Sequence, residues 1–579
     1  MSRRGTARKG TVRKPSAPHV ARGLRRNVAL AAVIALLAMH AALAVWGAAM
    51  NSVTFDENFH VPSGVVAVAR GDFLTSAVNP PLVKAMFGAA ALAAGARLPA
   101  DSAIAEIEQS VVGESFMRRN ADRYHHVFFA ARLVVVLLSV LLGLLVWYFA
   151  RRLYGGRAAV LALAFYAFAP DAIAHGGLAT LEIATALGFL ASVYTCWRFA
   201  RTGSFRAWLA LALAVSFTFL TRFSAFALVP LLPALAVVVV KRRLRSRVGL
   251  GLALLAPVIL LALAAGYAGQ VSFLPLQHYE FMSQSFGALQ RAWPGARLPV
   301  PDDWLTGLDW QTFNGQRGQN PGYLFGRALA EPVWYYFPIA ILCKWPLGFL
   351  VALMARAGLL VVSNQARARR AREILVLGPP VLFLLGAMFF LSLDVGVRYV
   401  FPLLPFLCVW CGGLIARAHR RAPRWAAPRV MARAAVALAA LAAIESVSAT
   451  PWQLSFFNRL AGGPGGGYRI LNDSNVDWGQ GLIALRAEIE RLHLGRIHLA
   501  YHGTTDPAIY GIDYVPYFGG KPGPESDWLA VSSYYFVGLT QRMTTTRGRT
   551  GPITINFSLL SQRRPVATIA GCIYLFKID

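Results

Sequence analysis

Residues 27–50 read NVALAAVIALLAMHAALAVWGAAM and contain no charged side chain. A transmembrane helix needs ~20 consecutive apolar residues, so this stretch predicts a membrane span. Residues 1–26, which precede it, carry a dense set of arginines and lysines. Basic residues beside a span mark its cytoplasmic side, so residues 1–26 are predicted to form a basic cytoplasmic tail.

The same criterion identifies ten further apolar segments along the chain. They fall near 127–150, 158–172, 178–199, 207–221, 224–240, 248–270, 333–363, 373–393, 397–416 and 429–447. If the chain alternates from a cytoplasmic N-terminus, the short basic turns all lie in the cytoplasm: 151–157, 198–206, 241–247, 367–372 and 417–429. The sequence therefore predicts a polytopic α-helical membrane protein with about 11 transmembrane helices, multi-pass in the inner (plasma) membrane.

Composition agrees with a membrane protein and excludes other classes. The chain of 579 residues is 56% hydrophobic and only 15% charged, whereas soluble proteins are about a quarter charged. The net charge of +30 is confined to clusters between apolar runs, so the expected partner is the lipid bilayer and not a nucleic acid. The five cysteines form no recognisable disulfide framework.

Three regions outside the spans are predicted to be external: the loops 51–126 and 271–332, and the tail 448–579. In the first loop, 59–69 and 81–96 are apolar enough to lie at the membrane surface as interfacial helices. In the tail, helical spacing of leucine and isoleucine over 482–492 precedes strand-like runs at 497–501, 528–532 and 573–578. The transmembrane part (27–447) is therefore followed by a small external α/β domain with its own core.

The first external loop carries the densest set of reactive side chains. Asp56 and Glu57 are adjacent at the end of a span, and like charges at such short range raise each other's proton affinity. One of them can serve as a general base that takes a proton from an attacking hydroxyl. A solvated turn just outside a helix explains the same pattern equally well.

Further ionisable residues gather at the same outer boundary. In or near lipid such groups are costly, and they indicate a site. The set comprises Lys84, Asp171, His175, Glu182, Arg222, Lys344, Asp394 and Arg398. Its cations suit an anionic lipid head group such as a phosphate. For Asp171 and His175 a capping or snorkelling role is favoured. No zinc-ligand spacing and no nucleotide-binding glycine motif is present, so no metal or other cofactor is predicted.

An ordered set of motifs resembles a known family. Thr54-Phe55-Asp56-Glu57, His60, Gly71-Asp72-Phe73, Pro80-Pro81-Leu82 and Lys84 are similar to the first external loop of family 39-like bacterial glycosyltransferases, which are relatives of the dolichyl-phosphate-mannose protein mannosyltransferases. Further matches follow in order at 175–180, 220–224, 335–338 with Lys344, Arg398-Tyr399, 457–464 and 473–480. The resemblance covers residues from about 50 to 485.

The resemblance implies a C-type membrane glycosyltransferase fold and a sugar donor linked to polyprenyl phosphate. It implies that Asp56 is the catalytic base, with Glu57 as its acidic partner, and that Lys84 contacts the donor phosphate. The other substrate-binding residues expected from the motifs are His60, His175, Glu182, Arg222, Lys344, Arg398, Asp473, Asn475 and Asp477. The expected acceptor belongs to the cell envelope, and a protein, a lipid and a polysaccharide remain open.

Two other functions remain open at this stage. A lipid-linked-sugar flippase predicts ionisable residues near mid-membrane and a symmetric arrangement of spans, whereas here they lie on one side. A glycan-binding protein with a membrane anchor does not need eleven spans. The segment 473–480 is expected to shape the acceptor side, although Asp477 is also placed to cap the helix that begins at Leu482.

Overall fold

The computed structural model describes residues 19–317, 322–362, 367–415, 428–539, 542–544, 550–552, 557–560 and 563–578. Most of the predicted basic N-terminal tail, and most of the predicted cytoplasmic turn at 417–429, lie outside these residues. The α-helices among these residues are α1 His19–Met50, α2 Glu57–Arg70, α3 Leu82–Ala93, α4 Asp101–Ala105, α5 Gln109–Arg119, α6 Tyr124–Tyr154, α7 Gly156–Ala167, α8 Pro170–Gly176, α9 Glu182–Thr202, α10 Phe205–Phe219, α11 Leu228–Val239, α12 Arg245–Ala253, α13 Leu255–Gly266, α14 Gln284–Ala292, α15 Asp302–Arg317, α16 Tyr336–Lys344, α17 Leu347–Val362, α18 Arg367–Phe390, α19 Leu403–Gly412, α20 Pro428–Ser448, α21 Leu482–Arg491, α22 Ser533–Phe536 and α23 Phe557–Leu560.

Each of the eleven predicted apolar segments coincides with a helix or a bent pair of helices. Among the described residues, six helices are long and apolar enough to cross a membrane, and eight spans result if each of two bent pairs is one span. The three remaining segments, near 207–221, 224–240 and 397–416, form shorter apolar helices. The protein is thus helical and multi-pass, and the exact number of spans stays a prediction.

The segment 333–363 bends sharply, as its prolines predict. The helices α16 and α17 form an angle of 117°, and the break between them falls at Trp345 and Pro346. Because proline lacks an N–H, the hydrogen-bond ladder stops there. At the start of this segment Trp334 and Tyr335 are exposed, whereas Tyr336 and Phe337 are buried.

The first loop differs from the expectation of helices lying at the membrane surface. The helices α2 and α3 are present, but every residue of α2 from His60 to Ala67 is buried. The two helices cross at Gly64 and Gly88, where an added Cβ on Gly64 would lie only 1.9 Å from the carbonyl oxygen of Lys84. Glycine therefore permits a backbone contact that removes α2 from the surface and directs its polar residues inward.

The tail forms a five-stranded sheet, in agreement with the predicted strand-like runs. The strands of the structure are β1 Tyr323–Leu324, β2 Arg327–Ala328, β3 Ile497–Ala500, β4 Tyr514–Pro516, β5 Trp528–Ser532, β6 Arg542–Thr544, β7 Thr550–Pro552, β8 Ala567–Ile569 and β9 Ile573–Lys577. The sheet has the order β4-β3-β5-β9-β8, with β3 parallel to β4 and β5, and β9 antiparallel to β5 and β8. The predicted helix is α21.

The two faces of this sheet pack into different cores. Leu529, Val531 and Phe576 belong to a smaller cluster that consists of residues of the tail together with Tyr323 of the loop 271–332. The alternate residues Ala530 and Leu575 belong to the large core that also contains the membrane helices. Because side chains alternate across a strand, the tail packs one face onto the helical part and has only the other face for a core of its own.

Candidate active site

The chain that leaves α1 is held against the tail before it reaches Asp56. The Ser52 N–H donates to the carbonyl of Gln480 (3.0 Å), and the Phe55 N–H donates to the carbonyl of Trp478 (3.0 Å). Between them, the Val53 N–H donates to the hydroxyl of Tyr510 (3.0 Å). Three hydrogen bonds from residues 52–55 to residues more than 400 positions away thus fix the backbone that carries the acidic pair.

Glu57 is sealed inside an ion pair with Arg132 of α6. Its Oε1 accepts from Arg132 Nε (2.8 Å) and its Oε2 accepts from Arg132 Nη2 (2.7 Å), and both side chains are 0% exposed. The Ala179 N–H donates to Oε1 (2.7 Å), and the N–H and hydroxyl of Thr54 donate to Oε2 (both 2.9 Å). Although burial favours the neutral acid, the charge of Arg132 and these hydrogen bonds hold the pKa of Glu57 below its usual value.

Arg132 uses every donor of its guanidinium group in this arrangement. Besides the two bonds to Glu57, Nη1 donates to the carbonyls of Ala48 (2.6 Å) and Asn51 (2.7 Å), and Nη2 donates to that of Ser52 (2.9 Å). A guanidinium has five N–H donors, and all five are occupied. The pair therefore ties the end of α1 and the first loop to α6, with no polar atom left for a substrate.

Asp56, in contrast, pairs with an arginine at the edge of a partly open cluster. Its Oδ2 accepts from Arg398 Nη1 (2.5 Å), with the Asp56 side chain 26% exposed and the Arg398 side chain 9% exposed. The guanidinium of Arg398 lies 4.0 Å from the ring centroid of Trp478. It is also 3.8 Å from Glu182 Oε1. The first loop, the turn at Arg398 and the start of α9 therefore meet at one guanidinium.

Glu182 extends the cluster to a second arginine. Its Oε1 accepts from Arg222 Nη1 (3.3 Å), and the Arg222 side chain is partly exposed. The charges then alternate from Asp56 to Arg398, Glu182 and Arg222, with two carboxylates and two guanidinium groups. Paired charges of this kind can exchange partners when an anionic ligand enters, at a lower cost than ionising a lone buried group.

Two buried histidines flank this cluster. Within the described residues, Nδ1 of His60 and Nδ1 of His175 have no hydrogen-bond partner. Burial lowers the pKa of His60 to about 4, and the nearby charges of Asp56 and Lys84 act in opposite directions on it. His175 packs edge-on against Trp478, with 6.1 Å between ring centroids. His60 is neutral near pH 7, so its ring can hydrogen-bond a sugar hydroxyl or a phosphate oxygen.

The two lysines of the predicted site have different surroundings. Lys84 is buried on α3 and its ammonium donates to the carbonyl of Ser76. Burial lowers the pKa of Lys84 to about 7. Lys344 donates to the carbonyls of Leu454 (2.8 Å) and Asn475 (2.6 Å) and lies 4.6 Å from the ring of Phe457. Lys344 therefore joins two backbone turns, and the structure gives it no direct contact with the Asp56 cluster.

The segment 473–480 forms hydrogen bonds with the turn that carries Arg398. The hydroxyl of Ser474 donates to the carbonyl of Val395 (2.8 Å), and Asn475 Oδ1 accepts from the Val397 N–H (2.9 Å). Gly396 lies between these contacts, where an added Cβ would lie 2.2 Å from the hydroxyl of Ser474. A side chain at this position would displace the Ser474 hydroxyl, so the close approach of the segment helps to fix the turn that carries Arg398.

The two acids of this segment also have local partners. Asp473 has a left-handed backbone (φ 57°) and accepts from the Ser474 N–H (2.5 Å). Asp477 Oδ1 accepts from the Gly479 N–H (3.1 Å). Burial raises the pKa of Asp473 to about 6 and that of Asp477 to about 7. The alternative of a helix cap is wrong, because α21 begins after Gly481 with no side-chain cap, and Asp477 stabilises a turn.

The structure therefore brings Asp56, Glu182, Arg222 and Arg398 together, with His60, His175, Lys84 and Asp473 around them. It adds two residues that the sequence reasoning missed, Arg132 and Trp478. Arg132 is the only charged residue within 127–150, and a buried charge inside a span is itself a signal. Trp478 lies inside a recognised motif, but nothing in its local sequence indicates that an arginine stacks on it.

Two further observations concern metal ligands and a cavity outside the site. Among the described residues, no group of three or more His, Cys, Asp and Glu side chains is placed to hold a metal ion. A cavity of about 520 Å³ opens between the ends of α1 and α6 and the tail, lined by residues that include Tyr124, His125 and Tyr510. None of the predicted site residues lines it, so it is separate from the Asp56 cluster.

Comparison with known proteins supports the motif-based assignment. The sequence profile of the family described as dolichyl-phosphate-mannose-protein mannosyltransferase matches residues 124–265. This match confirms the resemblance noted from the motifs, and it includes His175, Glu182 and Arg222. No curated protein sequence matches this chain.

Two solved structures show low sequence identity to this chain and low structural similarity to it. ArnT from Cupriavidus metallidurans bound to undecaprenyl phosphate is 14% identical, with a TM-score of 0.47 over 94% of this chain and 97% of that one. The oligosaccharyltransferase AglB from Archaeoglobus fulgidus, in complex with an inhibitory peptide and a dolichol-phosphate, is 12% identical, with a TM-score of 0.44 over 93% of this chain and 75% of that one. These scores are too low to support an argument about the site.

Proposed function

We propose that this protein is a membrane glycosyltransferase that transfers a sugar from a polyprenyl-phosphate donor to an acceptor of the cell envelope on the external face of the membrane. The observation that carries the proposal is the open Asp56–Arg398 pair, next to Glu182 and Arg222. A carboxylate beside fixed cations is what displacement of a phosphate-linked sugar requires.

The reaction is a substitution at the anomeric carbon of the sugar. The acceptor hydroxyl gives its proton to Asp56 while its oxygen forms a bond to the anomeric carbon. The bond from that carbon to the phosphate oxygen breaks, and polyprenyl phosphate leaves with the electron pair. Arg398 and Lys84 stabilise the negative charge of the leaving phosphate through charge-assisted hydrogen bonds.

The remaining predicted residues take supporting roles in this proposal. Glu57 positions the loop and takes no part in proton transfer, because its oxygens are fully occupied by Arg132, Thr54 and the backbone. Lys344, Asn475 and Asp477 hold the backbone around Arg398. His60 and His175 contact the donor through their unpaired ring nitrogens.

The test is transfer by the purified protein in lipid nanodiscs. Radiolabelled polyprenyl-phosphate sugars are offered with envelope fractions as acceptors, and mass spectrometry of envelope glycans from cells with and without the protein identifies the product. We expect the label to move to an acceptor with release of polyprenyl phosphate, and Asp56→Asn to slow this transfer by ~10²-fold or more. Movement of an intact lipid-linked sugar across the bilayer without transfer would instead support a flippase.

The proposal also fixes an orientation. With eleven spans, the N-terminus is cytoplasmic and the tail from 448 onward is external. Cysteine labelling from outside intact cells tests this orientation, with Glu525→Cys expected to react and Arg245→Cys expected to be protected. The opposite pattern would reverse the orientation and place the Asp56 cluster at the cytoplasmic face.

A further inference from the structure

Arg398 is paired with the first loop and, in the proposed function, also binds the donor phosphate. Its Nη1 donates to Asp56 Oδ2 (2.5 Å). A phosphate oxygen is an equally good acceptor for such a donor, and a phosphate carries a full negative charge to the same position. If Arg398 binds the donor phosphate, as the proposed function requires, Asp56 and the phosphate compete for it.

Asp56 is the partner that can leave. Its side chain is the most exposed of the four charged groups in the cluster, and Arg398 is the cation with which it forms an ion pair among the described residues. In this pairing Oδ2 is occupied by the guanidinium and is not available to an acceptor hydroxyl. While it holds Arg398, the carboxylate therefore offers an acceptor hydroxyl only Oδ1.

Arg398, in contrast, is held independently of Asp56. Its guanidinium lies over Trp478 (4.0 Å) and near Glu182 (3.8 Å), and Glu182 is itself held by Arg222 (3.3 Å). Its backbone turn is fixed through Ser474 and Asn475. When Asp56 moves away, these contacts keep the guanidinium in place for the phosphate.

We infer that the donor phosphate displaces Asp56 from Arg398, so that both oxygens of the base are available to the acceptor only in the donor-loaded site. This inference rests on the proposed function and deepens it. It assigns Arg398 two successive partners and predicts that the donor binds before the acceptor is activated. Trp478 is the positioning residue that keeps Arg398 from following the carboxylate.

Competition between Asp56 and the phosphate for Arg398 predicts the direction in which donor affinity changes in each variant. Removing the charge of Asp56 frees Arg398, so Asp56→Asn should bind polyprenyl phosphate more tightly than the wild type. We expect a gain on the order of fivefold, the factor that ~1 kcal/mol of ion pairing supplies. Arg398→Gln should weaken binding by roughly tenfold or more, because a charge-assisted contact is lost.

The experiment measures the affinity of polyprenyl phosphate alone, without acceptor or turnover, for the full-length protein in nanodiscs. A double-mutant cycle over positions 56 and 398 separates competition from simple repulsion. If the two groups compete for the guanidinium, Asp56→Asn has little effect in the Arg398→Gln background. Asp513→Asn, which removes a carboxylate from the exposed Arg496–Asp513 pair, is the matched control and should leave the affinity unchanged.

The outcomes are distinct. An unchanged or weaker affinity of Asp56→Asn, or an equal gain in both backgrounds, would overturn the inference and leave the proposed function standing. Failure of the wild type to bind polyprenyl phosphate would overturn the proposed function as well. Tighter binding by Asp56→Asn also shows that this variant is folded, so a misfolded protein cannot imitate the expected result.

Discussion

The neighbouring carboxylates Asp56 and Glu57 each pair with an arginine, and the two pairs have opposite surroundings. The Glu57–Arg132 pair is 0% exposed and every donor of its guanidinium is bound, whereas the Asp56 side chain is 26% exposed and its arginine is also near Glu182. In the Glu57–Arg132 pair, every donor and both carboxylate oxygens are already hydrogen-bonded, so the pair cannot bind a ligand. The Asp56–Arg398 pair can exchange its partner. Adjacent acids in a sequence can thus serve a structural and a chemical role, and burial with hydrogen-bond saturation decides which.

The comparison predicts that the largest effect on stability follows loss of the sealed pair. Glu57→Gln leaves the charge of Arg132 buried without its counterion, and breaking a buried pair in this way costs about 3–5 kcal/mol. We expect little folded protein, or a strongly lowered midpoint of thermal unfolding in nanodiscs. Glu114→Gln, from the exposed Glu114–Arg118 pair of the same loop, should unfold like the wild type. Wild-type stability of Glu57→Gln would refute the structural role.

The next effect concerns the open pair and falls on turnover. Asp56→Asn keeps the size of the side chain but removes its basicity, so the rate of sugar transfer should fall by ~10²-fold or more, a typical contribution of a general base. Thermal unfolding should stay close to the wild type. The Asp513→Asn protein controls for the loss of an exposed carboxylate. Glu57 is buried and fully hydrogen-bonded, so it cannot replace Asp56 as the base. Near-normal transfer by Asp56→Asn would therefore show that neither acid of the first loop is the general base.

A smaller effect is expected at the aromatic surface beneath Arg398. A cation over an indole ring is worth up to about 2 kcal/mol when desolvated, so Trp478→Leu should weaken the binding of polyprenyl phosphate by on the order of tenfold. Trp478→Phe keeps an aromatic face and should lose less. Equal losses in the two variants would attribute the effect to packing alone.

The smallest expected effect is a pH dependence that arises from Lys84. Burial lowers its pKa to about 7, so the ammonium is charged below that pH and loses its charge as the pH rises. Affinity for a phosphodiester-linked donor should therefore fall a few-fold between pH 6 and 8.5. His60 has a pKa of about 4 and stays neutral throughout.

Lys84→Met isolates this contribution from other groups that titrate in the same interval. Asp473 and Asp477, with pKa values raised by burial to about 6 and about 7, gain negative charge as the pH rises. In the Lys84→Met protein, the pH dependence of donor affinity that comes from Asp473 and Asp477 remains, and the pH dependence that comes from Lys84 is lost. Identical profiles for the variant and the wild type would show that Lys84 does not contact the phosphate.

Much of the fold could be predicted because its signals are local. All eleven apolar segments coincide with helices or bent helix pairs, and the strand-like runs of the tail form three strands of its sheet. The first-loop helices were located correctly, but the burial of α2 was not predicted. An apolar helix has the same composition whether it contacts lipid or protein, and the Gly64–Gly88 contact that buries α2 joins two separate elements.

The candidate site was only partly predictable for a related reason. Acids and bases at the ends of spans are visible in the sequence, and among them were Asp56, Glu182, Arg222 and Arg398. Their pairing is not visible. In the sequence, Lys344 and Lys84 are both cations at the predicted outer boundary. In the structure, Lys344 donates to two carbonyls of the tail, whereas Lys84 lies near His60.

The sequence by itself determined a helical multi-pass protein, its acidic first loop and its family resemblance, because hydropathy and short motifs are properties of neighbouring residues. The tertiary structure alone decided which carboxylate is sealed and which is open. Glu57 and its arginine are 75 positions apart, and Asp56 and its arginine are 342 positions apart. Only the packing of α6, the turn at Arg398 and the segment 473–480 around one loop brings these charges together.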